Sequence, residues 1–376
     1  MRIILYELKK LFQWKIVCLL FLICLLFYYL FLQFDFTHFP NGRPALDSYR
    51  VTKEMIRQYG YMMNDQEFAH FKAVYEKRKK EADAYLQARP EYVQAGIGTY
   101  AKFREVDREN PKIGELVGRI MFADQGDLFW ELQARESLIE YYEHKWDWPF
   151  DKPLTQEEYK RTKEVVTSGH IMSSEVLDNY QSLIGNMAIL ITVSVMFVVS
   201  PIFLRDRRQH IVLLQYASKT GRRLFHLKLW AALIAAGLVT SLELALFFML
   251  YRGNDVHLFF KADISSVFSY EIFWFHLTFL QYILLTVGCI YILAFVLTII
   301  VGVLSNFVSN YISLVGFQVP LVILFLKFGI DYLVVRITEI SMPIYFGPAA
   351  YSVIILIGIL LYIWAIKREK NVDIVH

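Results

Sequence analysis

The sequence is poor in cysteine and in charge. Its 376 residues include three cysteines, Cys18, Cys24 and Cys289, and only 20% charged residues, against about 25% in ordinary soluble proteins. The cysteines lie inside apolar runs without metal-ligand spacing, which favours small core residues over a disulfide or metal framework. With 56% hydrophobic residues, the composition excludes a disordered chain, a nucleic-acid-binding protein and a plain soluble globule.

Catalytic and nucleotide-binding motifs are also absent. The chain contains no P-loop (G-x-x-x-x-G-K-[ST]), no G-x-S-x-G nucleophile motif, no paired-cysteine motif and no dinucleotide fingerprint. A hydrolase working inside the membrane would need paired acids or histidines in its apolar runs, and the only acid there is Glu243. We therefore expect no enzymatic activity, no cofactor and no metal in this chain.

What the chain does contain is long apolar runs, which predict an all-α polytopic membrane protein. A bilayer core needs about 20 apolar residues to be crossed as a helix. Six runs meet that requirement: 16–34, 183–204, 229–251, 276–304, 308–328 and 348–366. The first run is too long for a cleaved signal peptide and lacks its cleavage pattern, so we expect it to stay as an anchor. Pro320 should bend the fifth.

The distribution of charge predicts the orientation. The loop 205–228 carries seven basic residues and one acidic residue, whereas 35–182 carries 21 basic and 26 acidic residues. Because lysine and arginine collect on the cytoplasmic side, both termini should be cytoplasmic and 35–182 should lie outside. We expect a multi-pass protein of a bacterial plasma membrane, surrounded by membrane lipid.

Three parts follow along the chain: 1–34 with an amphipathic start and the first span, the extracytoplasmic domain 35–182, and 183–376 with five further spans. Few β-branched runs occur in 35–182, so we expect mainly helices there. One or two helices should fill 48–87, and another 127–144. Thr155 and Glu158 form a capping-box pattern that should begin a helix ending by Gly169, and a last helix should run from Ser174 into the second span.

The cytoplasmic loop 205–228 is the most informative segment. Its apolar residues predict a short helix, followed by a turn and by basic residues that open the third span at the headgroup level. Such a helix is suited to inserting into a groove of a soluble partner, or to lying on the membrane surface as an ordinary positive-inside loop. The candidate residues of the loop are Arg208, Ile211, Leu213, Leu214, Tyr216, Arg222, Arg223 and Lys228.

This loop resembles the one between spans two and three in permeases of type-2 ATP-binding-cassette exporters. The resemblance is carried by Leu213-Leu214, by the turn Ser-Lys-Thr-Gly-Arg at 218–222 and by Lys228, with Asp206 in place of the family's glutamate at the start of the loop. The amphipathic segment 1–14 and the six-span topology are similar too.

The resemblance implies a transmembrane subunit that pairs with a second copy or a homologous permease. Two separate ATPase subunits would hold the ATP and Mg, and loop 205–228 would couple their closure to outward movement of an amphiphilic substrate. A lipid, a hydrophobic peptide or a drug would suit the apolar spans.

Three polar residues inside the spans are candidates for a substrate path. Glu243, Gln318 and Asn186 would each either face substrate or make a structural contact between helices. A different class of function also stays open, namely a sensory protein whose outer domain 35–182 captures a ligand and relays a signal without transport. A co-purifying ATPase would discriminate between the two.

Overall fold

The computed structural model describes residues 2–147, 153–217, 221–269, 271–308 and 310–371, which fold as helices and connecting loops. In chain order, the α-helices of these ranges are α1 Arg2–Leu11, α2 Trp14–Phe27, α3 Gln33–Thr37, α4 Ala45–Tyr59, α5 Asp65–Gln87, α6 Pro90–Gln94, α7 Tyr100–Glu105, α8 Pro111–Arg119, α9 Gly126–Glu143, α10 Gln156–Ser168, α11 Ser174–Val199, α12 Pro201–Arg208, α13 Val212–Ala217, α14 Arg223–Tyr251, α15 Phe279–Phe307, α16 Tyr311–Leu324 and α17 Phe346–Asn371.

Within these ranges, five helical segments are long and apolar enough to cross a membrane, which marks the chain as a membrane protein. They are Trp14–Thr37, Ser174–Arg208, Arg223–Asn254, Phe279–Phe307 and Phe346–Lys370. No β-strand forms in the described ranges, where only the isolated bridges Met62–His170 and Asp263–Thr278 occur. The all-helical fold expected from the sequence is therefore confirmed.

The expected fifth span differs from the others. Its helix α16 has 14 residues and contains Pro320, which lacks the backbone N–H that a regular helix needs. The π-helical turns Phe325–Gly329 and Asp331–Val335 follow, so that helical backbone of mixed type continues from residue 311 to residue 335. This segment is not one of the five long apolar helices.

The chain divides into two compact units, each built from segments distant in sequence. The spanning unit comprises Met1–Thr37, Tyr180–Asn254 and Gln281–His376. The insert unit comprises His38–Asn179 and Asp255–Leu280. The insert unit thus takes in Asp255–Leu280, a segment predicted to comprise the loop after the third span and the first residues of the fourth span, 276–304. The fourth apolar helix begins at Phe279 instead.

The insert unit has an aromatic core. Helix α9 packs against α4 and α5, and the rings of Phe103 and Phe129 are both fully buried with their centroids 4.8 Å apart. The predicted capping box of α10 is present, since Thr155 accepts from the backbone of Glu158 and Glu158 accepts from that of Thr155. Gly169 ends this helix in the left-handed conformation, at φ +65°.

The segment Asp255–Leu280 contains the 3-10 helix His257–Lys261 and is joined to the rest of the insert unit by buried hydrogen bonds. Arg161 Nε donates to the carbonyl of Phe273 at 2.7 Å, and the backbone N–H of Met172 donates to Ser266 Oγ at 3.2 Å. Both contacts are buried, so this segment completes the core instead of serving as a plain linker.

In the spanning unit, the amphipathic helix α1 packs against α14 and α12. The first apolar helix that follows it stays largely uncovered within this unit, with Phe21, Leu26 and Tyr29 each more than 60% exposed. The packing of α1 brings its polar residues to the start of the loop 205–228.

Candidate functional site

The candidate site centres on the buried carboxylate of Asp206, at the end of α12. Asp206 is 1% exposed and accepts from three side chains of the spanning unit. Lys228 Nζ of α14 lies 2.5 Å from Oδ2, Lys10 Nζ of α1 lies 3.2 Å from Oδ1, and Gln215 Nε2 of α13 lies 2.8 Å from Oδ2. One carboxylate therefore joins four helices.

Two further contacts close this cluster, which we call the Asp206 cluster (Glu7, Lys10, Asp206, Gln215 and Lys228). Lys10 Nζ also binds Glu7 Oε1 at 2.9 Å, and Lys228 Nζ also donates to Gln215 Oε1 at 3.1 Å. Glu7 and Lys228 are each 3% exposed. Burial opposes the charged form of Lys10, but the carboxylates of Glu7 and Asp206 outweigh it and hold the pKa of Lys10 above its ordinary value.

The loop reverses direction at His210, which lies in the left-handed region at φ +55°. The backbone N–H of Ile211 donates to the carbonyl of Asp206 at 3.2 Å, and α13 then runs over Val212–Ala217. The predicted short helix is thus present. Leu214 is 72% exposed on it, while Ile211 is half-buried. The side chain of Leu213 and residues 218–220 of the turn lie outside the described part.

The other end of α13 contacts the last helix of the chain. The Tyr216 hydroxyl donates to Glu369 Oε1 of α17, and Asn306 Nδ2 donates to the second oxygen of Glu369 at 3.4 Å. Burial and the hydrogen bond to this carboxylate raise the pKa of Tyr216. Glu369 is only 7% exposed, so α13 is connected to α17 as well as to α1 and α14.

The remaining basic residues of the loop have separate positions. Arg222 donates to the backbone carbonyl of Lys370, and the Arg208 guanidinium lies 5.3 Å from the centre of the Tyr311 ring. Arg223 is exposed at the start of α14. Of the eight loop residues that the sequence singles out, only Lys228 belongs to the Asp206 cluster.

A cleft of 580 Å³ lies between α1 and the loop, beside the Asp206 cluster. Four basic residues line it: Arg2, Lys9, Lys10 and Arg205. Ile211 and Gln215 of the loop face the same cleft. The loop helix therefore has a basic recess on one side, while its Leu214 side chain is open to its surroundings.

The candidate path residues do not form one site. Glu243 is 7% exposed and lines a separate apolar groove of 760 Å³ between α2, α11 and α14. Asn186 Nδ2 donates to the carbonyl of Phe31 at 3.3 Å, and Gln318 Nε2 donates to Ser200 Oγ at 2.7 Å. Among the described residues that line the groove, neither Asn186 nor Gln318 is present. Both make contacts between helices instead.

A second polar cluster lies in the insert unit. His170, Asp263 and His276 bring one ligand atom each within 4.8 Å of one another, as a metal site would. However, Arg161 Nη1 lies 2.6 Å from His276 Nε2, and a guanidinium has no acceptor. Nε2 must therefore accept, which leaves the proton on Nδ1, 3.1 Å from Asp263 Oδ2. This arrangement favours a hydrogen-bonded chain over a metal centre.

Sequence reasoning missed Glu7, Lys10, Gln215 and Glu369. One signal could have found Glu7 and Lys10. Glu7 and Lys10 are three residues apart on an amphipathic helix, which places both on one face. Gln215 and Glu369 had no such signal, since Glu369 lies in a terminal segment with three basic residues and a second acid, Asp373.

Comparison of the chain with protein-family models, with curated proteins and with solved structures gives no match.

Proposed function

We propose that the chain is the membrane subunit of an exporter driven by a separate ATPase, with loop 205–228 as the coupling element. The observation that carries the proposal is that α13 has one exposed apolar side and one side bound to buried carboxylates. It exposes Leu214 to 72%, while Gln215 and Tyr216 connect it to buried carboxylates. A short helix with an exposed leucine suits a groove in a soluble partner.

The hydrogen bonds of α13 explain how its displacement would be transmitted to other helices. Gln215 reaches the Asp206 cluster, which joins α12 to α1 and α14, and Tyr216 reaches Glu369 in α17. Breaking a buried ion pair is costly, so these helices should move with α13 rather than separate from it. A partner that displaces α13 would thereby displace three apolar helices together.

The topology belongs to the same proposal. Six spans, both termini in the cytoplasm and 35–182 outside a bacterial plasma membrane agree with the basic loop and terminal segments. The mixed helical backbone from 311 to 335 would serve as the fifth span, bent at Pro320.

The partners follow from the same mechanism. ATP and Mg would be held by the ATPase, since this chain has no P-loop. A second copy or a homologous permease would complete the transporter, and the largely uncovered first helix offers it a surface beside membrane lipid. The substrate would be amphiphilic, in keeping with the apolar spans.

The test is co-purification of an ATPase with the full chain. Tagged wild-type, Leu214→Asp and Gln209→Asp chains are solubilised from the native membrane in mild detergent. Bound proteins are sequenced by mass spectrometry, and ATP hydrolysis is measured. We expect a P-loop ATPase with the wild type and at least tenfold less with Leu214→Asp, because the burial of one leucine contributes about 1.5–3 kcal/mol.

Gln209→Asp is the matched control, since it adds the same charge at an exposed position of the same loop. It should retain the ATPase. Absence of any ATPase from all three preparations would overturn the proposal and direct attention to ligand binding by the insert unit. Equal retention of the ATPase by Leu214→Asp would keep an ATPase partner but exclude α13 as its docking helix.

A further inference from the structure

The apolar groove between α2, α11 and α14 contains a single acidic group. Its walls are mostly leucine and phenylalanine, and it encloses 760 Å³. Phe21 and Leu242 at its edge are each 64% exposed, so the groove is accessible from the face of the spanning unit. Glu243 is the only charged residue among the described residues that line it.

The Glu243 carboxyl is half satisfied. Oε1 accepts from the thiol of Cys24 at 3.4 Å, and the Ser194 hydroxyl adjoins the same carboxyl, 4.0 Å from that thiol. Oε2 is buried and accepts no hydrogen bond from the described residues. An acid with a free buried oxygen in an apolar wall is costly, and such groups inside membranes commonly mark a binding site.

In its charged form, the Glu243 carboxylate would take its counter-charge from a group other than the described lining residues. Since no lysine or arginine is present among the described lining residues, no counter-charge is built into its walls. A ligand with an apolar body and one cationic centre would satisfy both features at once. Its body would pack against Leu25, Leu238 and Phe247, and its charge would face Glu243, with the aromatic ring of Tyr28 also favouring a cation.

We infer that this groove binds lipophilic cations, with Glu243 as the counter-ion. The inference rests on the proposed function in one respect, because it names the substrate class that the exporter would move. The binding itself requires only this chain.

The experiment measures binding of tetraphenylphosphonium to the full chain in phosphatidylcholine nanodiscs, without any ATPase. Empty nanodiscs give the background from partition into lipid. Tetraphenylborate, which has nearly the same shape and the opposite charge, gives the charge control. We expect saturable binding of the cation only, weakened at least tenfold by Glu243→Gln, which keeps the size of the side chain and removes its charge.

Thr240→Val is the matched control variant. Thr240 is fully buried one turn before Glu243, and its hydroxyl likewise has no partner among the described residues. This variant should bind tetraphenylphosphonium within twofold of the wild type. Equal binding by wild type and Glu243→Gln, or no saturable binding by the wild type, would overturn the inference.

The two proposals fail in different ways. Cation binding without a co-purifying ATPase would keep the groove as a ligand site and remove the exporter. A co-purifying ATPase without cation binding would keep the exporter and exclude lipophilic cations as ligands of the groove.

Discussion

Asp206 is the residue on which the candidate coupling site depends most. It is 1% exposed and faces two lysines, so neutralising it leaves two positive charges without their shared partner. Because removing one partner of a buried ion pair costs about 3–5 kcal/mol, Asp206→Asn should lower the free energy of unfolding by that order. Denaturant unfolding of the detergent-solubilised chain measures it.

Two further variants, Lys10→Met and Arg223→Gln, should lower the free energy of unfolding less than Asp206→Asn does. The side chain of Lys10 is 18% exposed and partly solvated, so its removal should cost less than that of Asp206. Arg223 is exposed, and its substitution should change stability by less than about 0.5 kcal/mol. An Asp206→Asn chain as stable as Arg223→Gln would show that the cluster does not hold these helices together.

The environment of His170 indicates how the stability of the insert unit depends on pH. Burial lowers the pKa of His170, with Asp263 opposing this and His276 and Arg161 adding to it. The unfolded chain then binds the proton more readily than the folded chain, so stability should fall as the pH drops below about 6.5. The thermal midpoint should be lower at pH 5.5 than at pH 7.5, and this difference should shrink in His170→Gln.

The wild type and His170→Gln are compared at the same two pH values. If His170→Gln kept the full pH difference, other groups of the protein would be responsible for it.

At the scale of elements, the turn at His210 determines the direction of α13. A left-handed residue other than glycine costs about 1–2 kcal/mol, and a β-branched residue tolerates this conformation least. His210→Gly should stay within about 0.5 kcal/mol of the wild type, since relief of strain offsets the greater chain entropy of glycine. His210→Val should lower stability by about 1–2 kcal/mol and weaken retention of the ATPase.

Both His210 variants are compared with the wild type by denaturant unfolding and by co-purification of the ATPase. His210→Gly is the internal control. If both variants behaved alike, the conformation at this position would be irrelevant to the loop.

Elements with local signals could be predicted from the sequence. The capping box of Thr155 and Glu158, the stop at Gly169 and the apolar helices each depend on residues close together in the chain. The segment Asp255–Leu280 could not be assigned to the insert unit, because its partners Arg161 and Met172 are about a hundred residues away.

Large separation in sequence between contacting residues also limits what can be predicted of the candidate site. Lys228 and Tyr216 were identified from the loop itself, but their partners depend on tertiary packing. Tyr216 meets Glu369, 153 positions further along the chain, and Lys10 meets Asp206 across 196 positions. Pairing over such distances has no local pattern from which it could be inferred.

At the scale of the whole molecule, the orientation in the membrane is the prediction that most needs a direct test. In a background without native cysteines, Lys77→Cys and Gln209→Cys place one exposed thiol in the insert unit and one in the loop. An impermeant maleimide should label Lys77→Cys on intact cells and Gln209→Cys only after permeabilisation, because the basic loop should stay in the cytoplasm. The reverse labelling pattern would show that the topology is the opposite of the predicted one.

The composition of the insert unit from His38–Asn179 and Asp255–Leu280 also sets the order of its biogenesis. The first segment leaves the ribosome about a hundred residues before the second is complete. At roughly 5–20 residues per second, that is a wait of roughly 5–20 s. During this interval the nascent domain exposes the surface that Asp255–Leu280 later covers. Folding of the insert unit can therefore be completed only after the intervening helices have been synthesised.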